Sequence, residues 1–147
     1  MTDDRVYVSP TIISALMAVD KKLQKRGWRL YLKEGYRSPE LYDLIYRKRV
    51  AKYGQTMTDR LMNIKDMPHS TGRVVDVAIW DAKLDEEVPL RKLTDGPESL
   101  ISGFYEHGAD MEGRHCDEMQ HYLLDLMTKN GFGLGTRREY FHFEFAD

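Results

Sequence analysis

Pro68-His69-Ser70-Thr71-Gly72-Arg73-Val74-Val75-Asp76-Val77-Ala78-Ile79-Trp80 is the stretch that decides how this chain is read. Val74 to Trp80 is the clearest strand signal in the sequence. Val75, Val77 and Ile79 fall on one face, and Val74, Asp76 and Ala78 on the other. An aspartate inside an apolar strand is a cost unless a cation, a metal or several hydrogen bonds meet it. A histidine sits just before the turn that Gly72 permits, so His69 can fold back toward that carboxylate.

Working outward, helices and further strands flank this segment. Ser9 and Pro10 predict a helix start, with Ile12, Leu16, Val19 and Leu23 at helical spacing and Gly27 as the stop. Trp28 to Leu32 alternates as a strand, and Gly35 turns the chain. Ser38-Pro39 starts a second helix, with Leu41, Leu44 and Ile45 inward and an end near Tyr53-Gly54. A short third helix spans Thr58 to Ile64. Asp81 to Gly113 has no periodic pattern and predicts a long loop region. Cys116 to Lys129 reads as a helix with Met119, Leu123, Leu126 and Met127 inward. Glu139 to Phe145 is the last strand, with Phe141, Phe143 and Phe145 toward the core and His142 on the opposite face. The expected class is α+β: a small, mostly antiparallel sheet with helices packed on one side.

The 147 residues suit one domain, 1–147, better than two. Hydrophobic residues at 41% and charged residues at 31% mark a globular chain, not a disordered one. The net charge of −2 gives no bulk electrostatic case for nucleic acid or an anionic membrane. The basic runs from Lys21 to Arg29 and from Arg47 to Lys52 read as solvated helix faces. The single cysteine, Cys116, excludes a disulfide framework. With no transmembrane-length apolar run and no signal peptide at Met1-Thr2-Asp3-Asp4, the expected location is cytoplasmic.

Two histidines and one carboxylate with an open fourth position are a common catalytic zinc set, and His69, Asp76 and His142 supply those types. Each residue also has a plainer reading. His69 can be an ordinary loop histidine, Asp76 can pair with Arg73 or Arg37, and His142 can be a half-exposed strand residue. Spacing leaves these alternatives open. His107, His115 and His121 read as surface residues.

The run His69-x-x-Gly72-x-x-x-Asp76, followed by Glu139-x-x-His142, resembles the M15 family of zinc D,D-peptidases, most of all the D-alanyl-D-alanine dipeptidases of vancomycin resistance. Gly35-Tyr36-Arg37-Ser38 matches the Gly-Tyr-Arg segment of these enzymes. Tyr140-Phe141 stands where they usually carry two tryptophans. The resemblance implies an M15/hedgehog-like fold with the zinc site on the sheet. It implies one Zn2+ per chain, held by His69, Asp76 and His142. Glu139 would be the general base, with Glu144 as the backup, and Arg37 would stabilise the oxyanion. The implied partner is a small peptide: free D-Ala-D-Ala first, with a carboxypeptidase or endopeptidase acting on peptidoglycan stem peptides as the alternative. A non-catalytic zinc-binding module of the same fold is a further alternative. Three departures bear on the substrate. Met67 replaces the usual serine two residues before the first zinc histidine, with Ser70 as a replacement contact. The Leu93–Leu100 stretch lacks a Phe-Asp pair, leaving Asp95 and Glu98 as candidates for a substrate ammonium. The chain before the first strand is short. Because Glu139 and His142 are three apart, Glu139 has to lie at a bend before the strand.

Overall fold

The computed structural model describes residues 5–62, 65–107 and 110–146. Ser9 accepts a hydrogen bond from the Thr11 amide and caps a 3-10 turn, Pro10–Ile12, which runs into α1 (Ile13–Gln24). Gly27, at φ +76°, turns the chain into β1 (Trp28–Glu34). Next come α2 (Pro39–Tyr53), capped by Ser38, and α3 (Gln55–Leu61). A 3-10 turn at Pro68–Thr71 leads into β2 (Val74–Asp81). The remaining elements are β3 (Glu86–Glu87), α4 (Met111–Lys129), β4 (Phe132–Leu134) and β5 (His142–Phe145).

Every strand pair is antiparallel, in the order β1-β2-β5-β4, and β3 joins the far end of β2. The α+β expectation holds. Val75, Val77 and Ile79 of β2 lie in the core with Leu16, Val19 and Leu23 of α1. Met119, Leu123 and Met127 of α4 close it from the same side, and Phe143 of β5 is fully buried there. The period-2 pattern of β2 and the helical patterns of α1 and α4 therefore meet on one apolar face.

Other expectations are corrected. Leu41 and Leu44 of α2 are exposed, and Tyr42 is the buried residue of that helix. Helix α2 packs on α3, and together they wall a cleft over the opposite face of the sheet, so the helices are not all on one side. Helix α3 begins at Gln55, three residues earlier than read, and the last two residues of the expected span, 63 and 64, lie outside the described residues. Helix α4 begins at Met111 because the Asp110 carboxylate accepts from the Gly113 amide at 2.7 Å. Phe141 falls in the turn before β5 and faces the cleft instead of the core. Strand β4 is three residues long, too short for alternation to reveal. The stretch between β2 and α4 is ordered by its own bonds: Tyr105 donates to Asp95 at 2.7 Å and Arg91 to Ser99 at 2.8 Å.

Candidate metal centre

Strand register brings two of the three expected ligands together. Asp76 on β2 lies directly opposite His142 on β5, on the face away from Val75 and Phe143. Side chains directly opposite on one face of an antiparallel pair are neighbours. The His142 Nδ1 lies 3.1 Å from the Asp76 Oδ1. His69 arrives from the 3-10 turn, with its Nε2 3.3 Å from the same oxygen. The two imidazoles meet edge to face, with centroids 5.0 Å apart. One donor atom from each of the three residues lies within 4.8 Å of the others.

The turn that carries His69 is held at several points. Its Nδ1 sits 2.9 Å from the Gly35 carbonyl, an arrangement that fixes the orientation of the ring. Its backbone amide donates to the Tyr42 hydroxyl at 2.7 Å, and its carbonyl accepts from the Arg37 amide at 3.1 Å. Tyr42, overlooked in the sequence, is thus a support of the site. Burial pushes its phenol up to about 12, so it stays protonated.

Electrostatics favour a cation here. Burial works to raise the Asp76 pKa, but hydrogen bonds from His142 and His69 outweigh it and hold the carboxyl at about 2. Burial works to lower that of His142, yet the Asp76 bond carries it above its ordinary value. Asp76 is met by the two imidazoles, while Arg37 pairs with Glu34. Two imidazole nitrogens and one ionised carboxylate oxygen, converging with further coordination positions unfilled by protein, fit a catalytic zinc site.

Glu139 and Arg37 face the same cleft of about 590 Å³. Glu139 makes an isolated bridge to Ile101, and the turn Tyr140-Phe141 separates it from β5, so the bend required by its spacing is present. Its carboxyl is pushed up mainly by burial, with His142 partly offsetting this. Arg37 is buried, donates from Nη2 to Glu34 at 2.7 Å and lies over the Tyr42 ring at 4.7 Å. Its Nε has no hydrogen-bond partner. Glu144 lines the cleft too, with Oε2 3.9 Å from the His142 Nε2.

Several expected contacts fall elsewhere. Ser70 donates to the Arg37 carbonyl at 2.6 Å and braces the turn instead of replacing the missing serine. Asp95 lines the cleft but accepts from Tyr105, and Glu98 is exposed outside it. Tyr36 is half exposed and outside the cleft. His107, His115 and His121 are exposed, as expected, and His121 lies against Asp117.

No family model and no curated protein sequence matches the chain. Solved structures do. DacB from Streptococcus pneumoniae D39 is similar at TM-score 0.59 and 21% identity, over 98% of this chain and 69% of that one. The LdcB LD-carboxypeptidase is similar at TM-score 0.63 and 17% identity, over 99% of this chain and 62% of that one. VanY, a D,D-pentapeptidase from a VanB-type vancomycin-resistance cassette, in complex with Zn(II), is similar at TM-score 0.63 and 14% identity, over 100% and 77%. The chain shares the fold of these three proteins. The chain thus spans about three-fifths to three-quarters of the length of these neighbours.

Gly135 clears space for His142. A Cβ built there lies 2.6 Å from the His142 Cδ2 and 2.9 Å from its Nε2, closer than real contacts allow. Gly135→Ala is expected to tilt the imidazole and weaken metal binding by roughly 10–100-fold, the scale of losing an outer-shell support. Zinc titration alongside circular dichroism tests this: the affinity falls while the spectrum is unchanged.

Proposed function

We propose that the protein is a zinc-dependent peptidase of the carboxypeptidase kind, removing the terminal residue from a peptidoglycan stem peptide that ends in D-Ala-D-Ala. The observation that carries the reading is the joint placement of the His69–Asp76–His142 trio, Glu139 and Arg37 along one cleft. A non-catalytic metal module has no use for the last two. The similarity to a carboxypeptidase and a pentapeptidase favours a longer substrate over the free dipeptide.

His69, Asp76 and His142 would hold the zinc. A zinc there supplies a Lewis acid and lowers the pKa of a bound water to near 7. Glu139, with its carboxyl raised by burial, is suited to take a proton from water and deliver it to the leaving nitrogen as the C–N bond breaks. Arg37, fixed by Glu34 and the Tyr42 ring, directs a cation at the carbonyl oxygen where negative charge develops. Glu144 stands 3.9 Å from the His142 Nε2, on the side of the ring away from Asp76.

Alanine release from D-Ala-D-Ala and from a stem pentapeptide, with zinc-loaded and chelator-treated protein, tests the reading. Zinc-dependent release from the pentapeptide is the expected result, and release from the dipeptide alone would overturn it in favour of a dipeptidase. Arg37→Ala is expected to cost on the order of 100- to 1,000-fold in kcat with a smaller change in KM, the scale of removing an oxyanion donor. Arg37→Lys should recover only part, because a point charge does not reproduce the guanidinium fork.

A further inference from the structure

The cleft does not end at the metal centre. A second lobe of about 360 Å³ opens on the same face of the sheet, and the two share Asp76, Arg91, Leu100 and Phe141. Asp76 therefore sits where the two lobes meet. From the carboxypeptidase reading and this geometry together, we infer that the second lobe is the binding site for the acyl side of the substrate peptide, with Ala78 as its specificity-determining floor.

The lobes differ in what they offer. Glu139, His69 and His142 line the first lobe and not the second. The group that passes a proton to the leaving nitrogen has to stand beside it, so the leaving residue occupies the first lobe. Arg49 and Arg138 also line that lobe and match the carboxylate of a C-terminal residue. The residues before the scissile bond then run the other way, past Asp76 along β2.

On that path β2 presents Ala78, two residues on and on the same face as Asp76. A methyl there leaves the trough open, where any larger side chain fills it. Lys33 from β1 and Glu87 from β3 stand on either side of β2 and form an ion pair of 2.5 Å. Both line the lobe, so the pair marks its outer end. Both side chains are more than one-third exposed, and such a pair is weak enough for either member to exchange it for a charged group on the peptide.

The test is a length series: D-Ala-D-Ala, its N-acetyl form, and N-acetylated tri- and tetrapeptides ending in D-Ala-D-Ala. Turnover is measured together with calorimetric binding of the corresponding peptides lacking the terminal residue. In the wild-type protein each acyl-side residue filling the lobe is expected to raise kcat/KM and tighten product binding, by about tenfold in total. Ala78→Leu is expected to abolish that gain. Because Ala78 is buried, Glu87→Arg at the rim is a second variant. It should improve binding of peptides with an anionic acyl end several-fold over those with a cationic one. Turnover and binding that are both indifferent to acyl length would overturn the inference while leaving the carboxypeptidase reading intact. Length-dependent binding without hydrolysis of any peptide would support the acyl site and sink the carboxypeptidase reading.

Discussion

Glu139→Gln is expected to lower kcat by about 100- to 10,000-fold while zinc stays bound at one per chain. Glutamine keeps the shape of the side chain and removes its ability to accept a proton. The three donor atoms belong to other residues, so metal content and melting temperature should match the wild type. The loss corresponds to roughly 3–5 kcal/mol of transition-state stabilisation. Glu144→Gln, made alongside, separates the two carboxylates that line the cleft. If Glu144 serves as the base, it is this variant that loses the activity. Its position beside the Nε2 of His142 predicts instead a moderate fall in zinc affinity. The pH profile carries a further check. Burial pushes the Glu139 carboxyl up, so the acid limb of kcat/KM should lie above the ordinary glutamate value, and it should vanish with Glu139→Gln if residual activity is measurable.

Asp76→Asn is expected to remove activity by removing the metal. The amide cannot supply the ionised oxygen at which both imidazoles converge. Zinc affinity should fall by more than the roughly 100-fold typical of losing an outer-shell partner. Thermal melts with and without zinc give a direct readout. Wild-type protein with zinc at about 1,000 times the dissociation constant gains about 4 kcal/mol, and the variant gains almost none. The metal-free wild type has its own signature. Asp76 is held at about 2, below its ordinary 3.8, so its contribution is complete above the ordinary value. That contribution, about 2 kcal/mol, is lost as the pH falls through the folded value. His142 is shifted the other way, so its contribution is present below the ordinary 6.5 and disappears as the pH rises through its folded value. The cluster therefore stabilises the metal-free fold best between about pH 4 and 6.5. Urea titrations at pH 3, 5 and 8 should show this maximum in the wild type and not in Asp76→Asn.

The patterned elements were legible because one local rule governs each. Strand β2 alternates, α1 and α4 repeat at helical spacing, and their apolar faces are the ones buried. Helix α2 defeated the same rule. Its apolar side chains are scattered, and what it buries is Tyr42, whose hydroxyl serves the His69 amide. Asp110 was a cap hidden at the end of an unpatterned stretch, and β4 was too short to show a period.

The residue types of the site, and the frustration of a carboxylate inside an apolar strand, were determined by the sequence alone. The bend at Glu139 came from the resemblance, which puts Glu139 and His142 in one site although two residues three apart on a regular strand cannot share a face. Their meeting was decided by tertiary structure. The pairing of Asp76 with His142 spans 66 positions and exists only through the β2–β5 register, and His69 joins them only because Gly35 and Tyr42 hold its turn. The same holds for the second lobe, assembled from β1, β2, β3 and the turn before β5. Local patterns report which way a side chain points along its own element; long-range pairing alone sets which side chains share a volume of space.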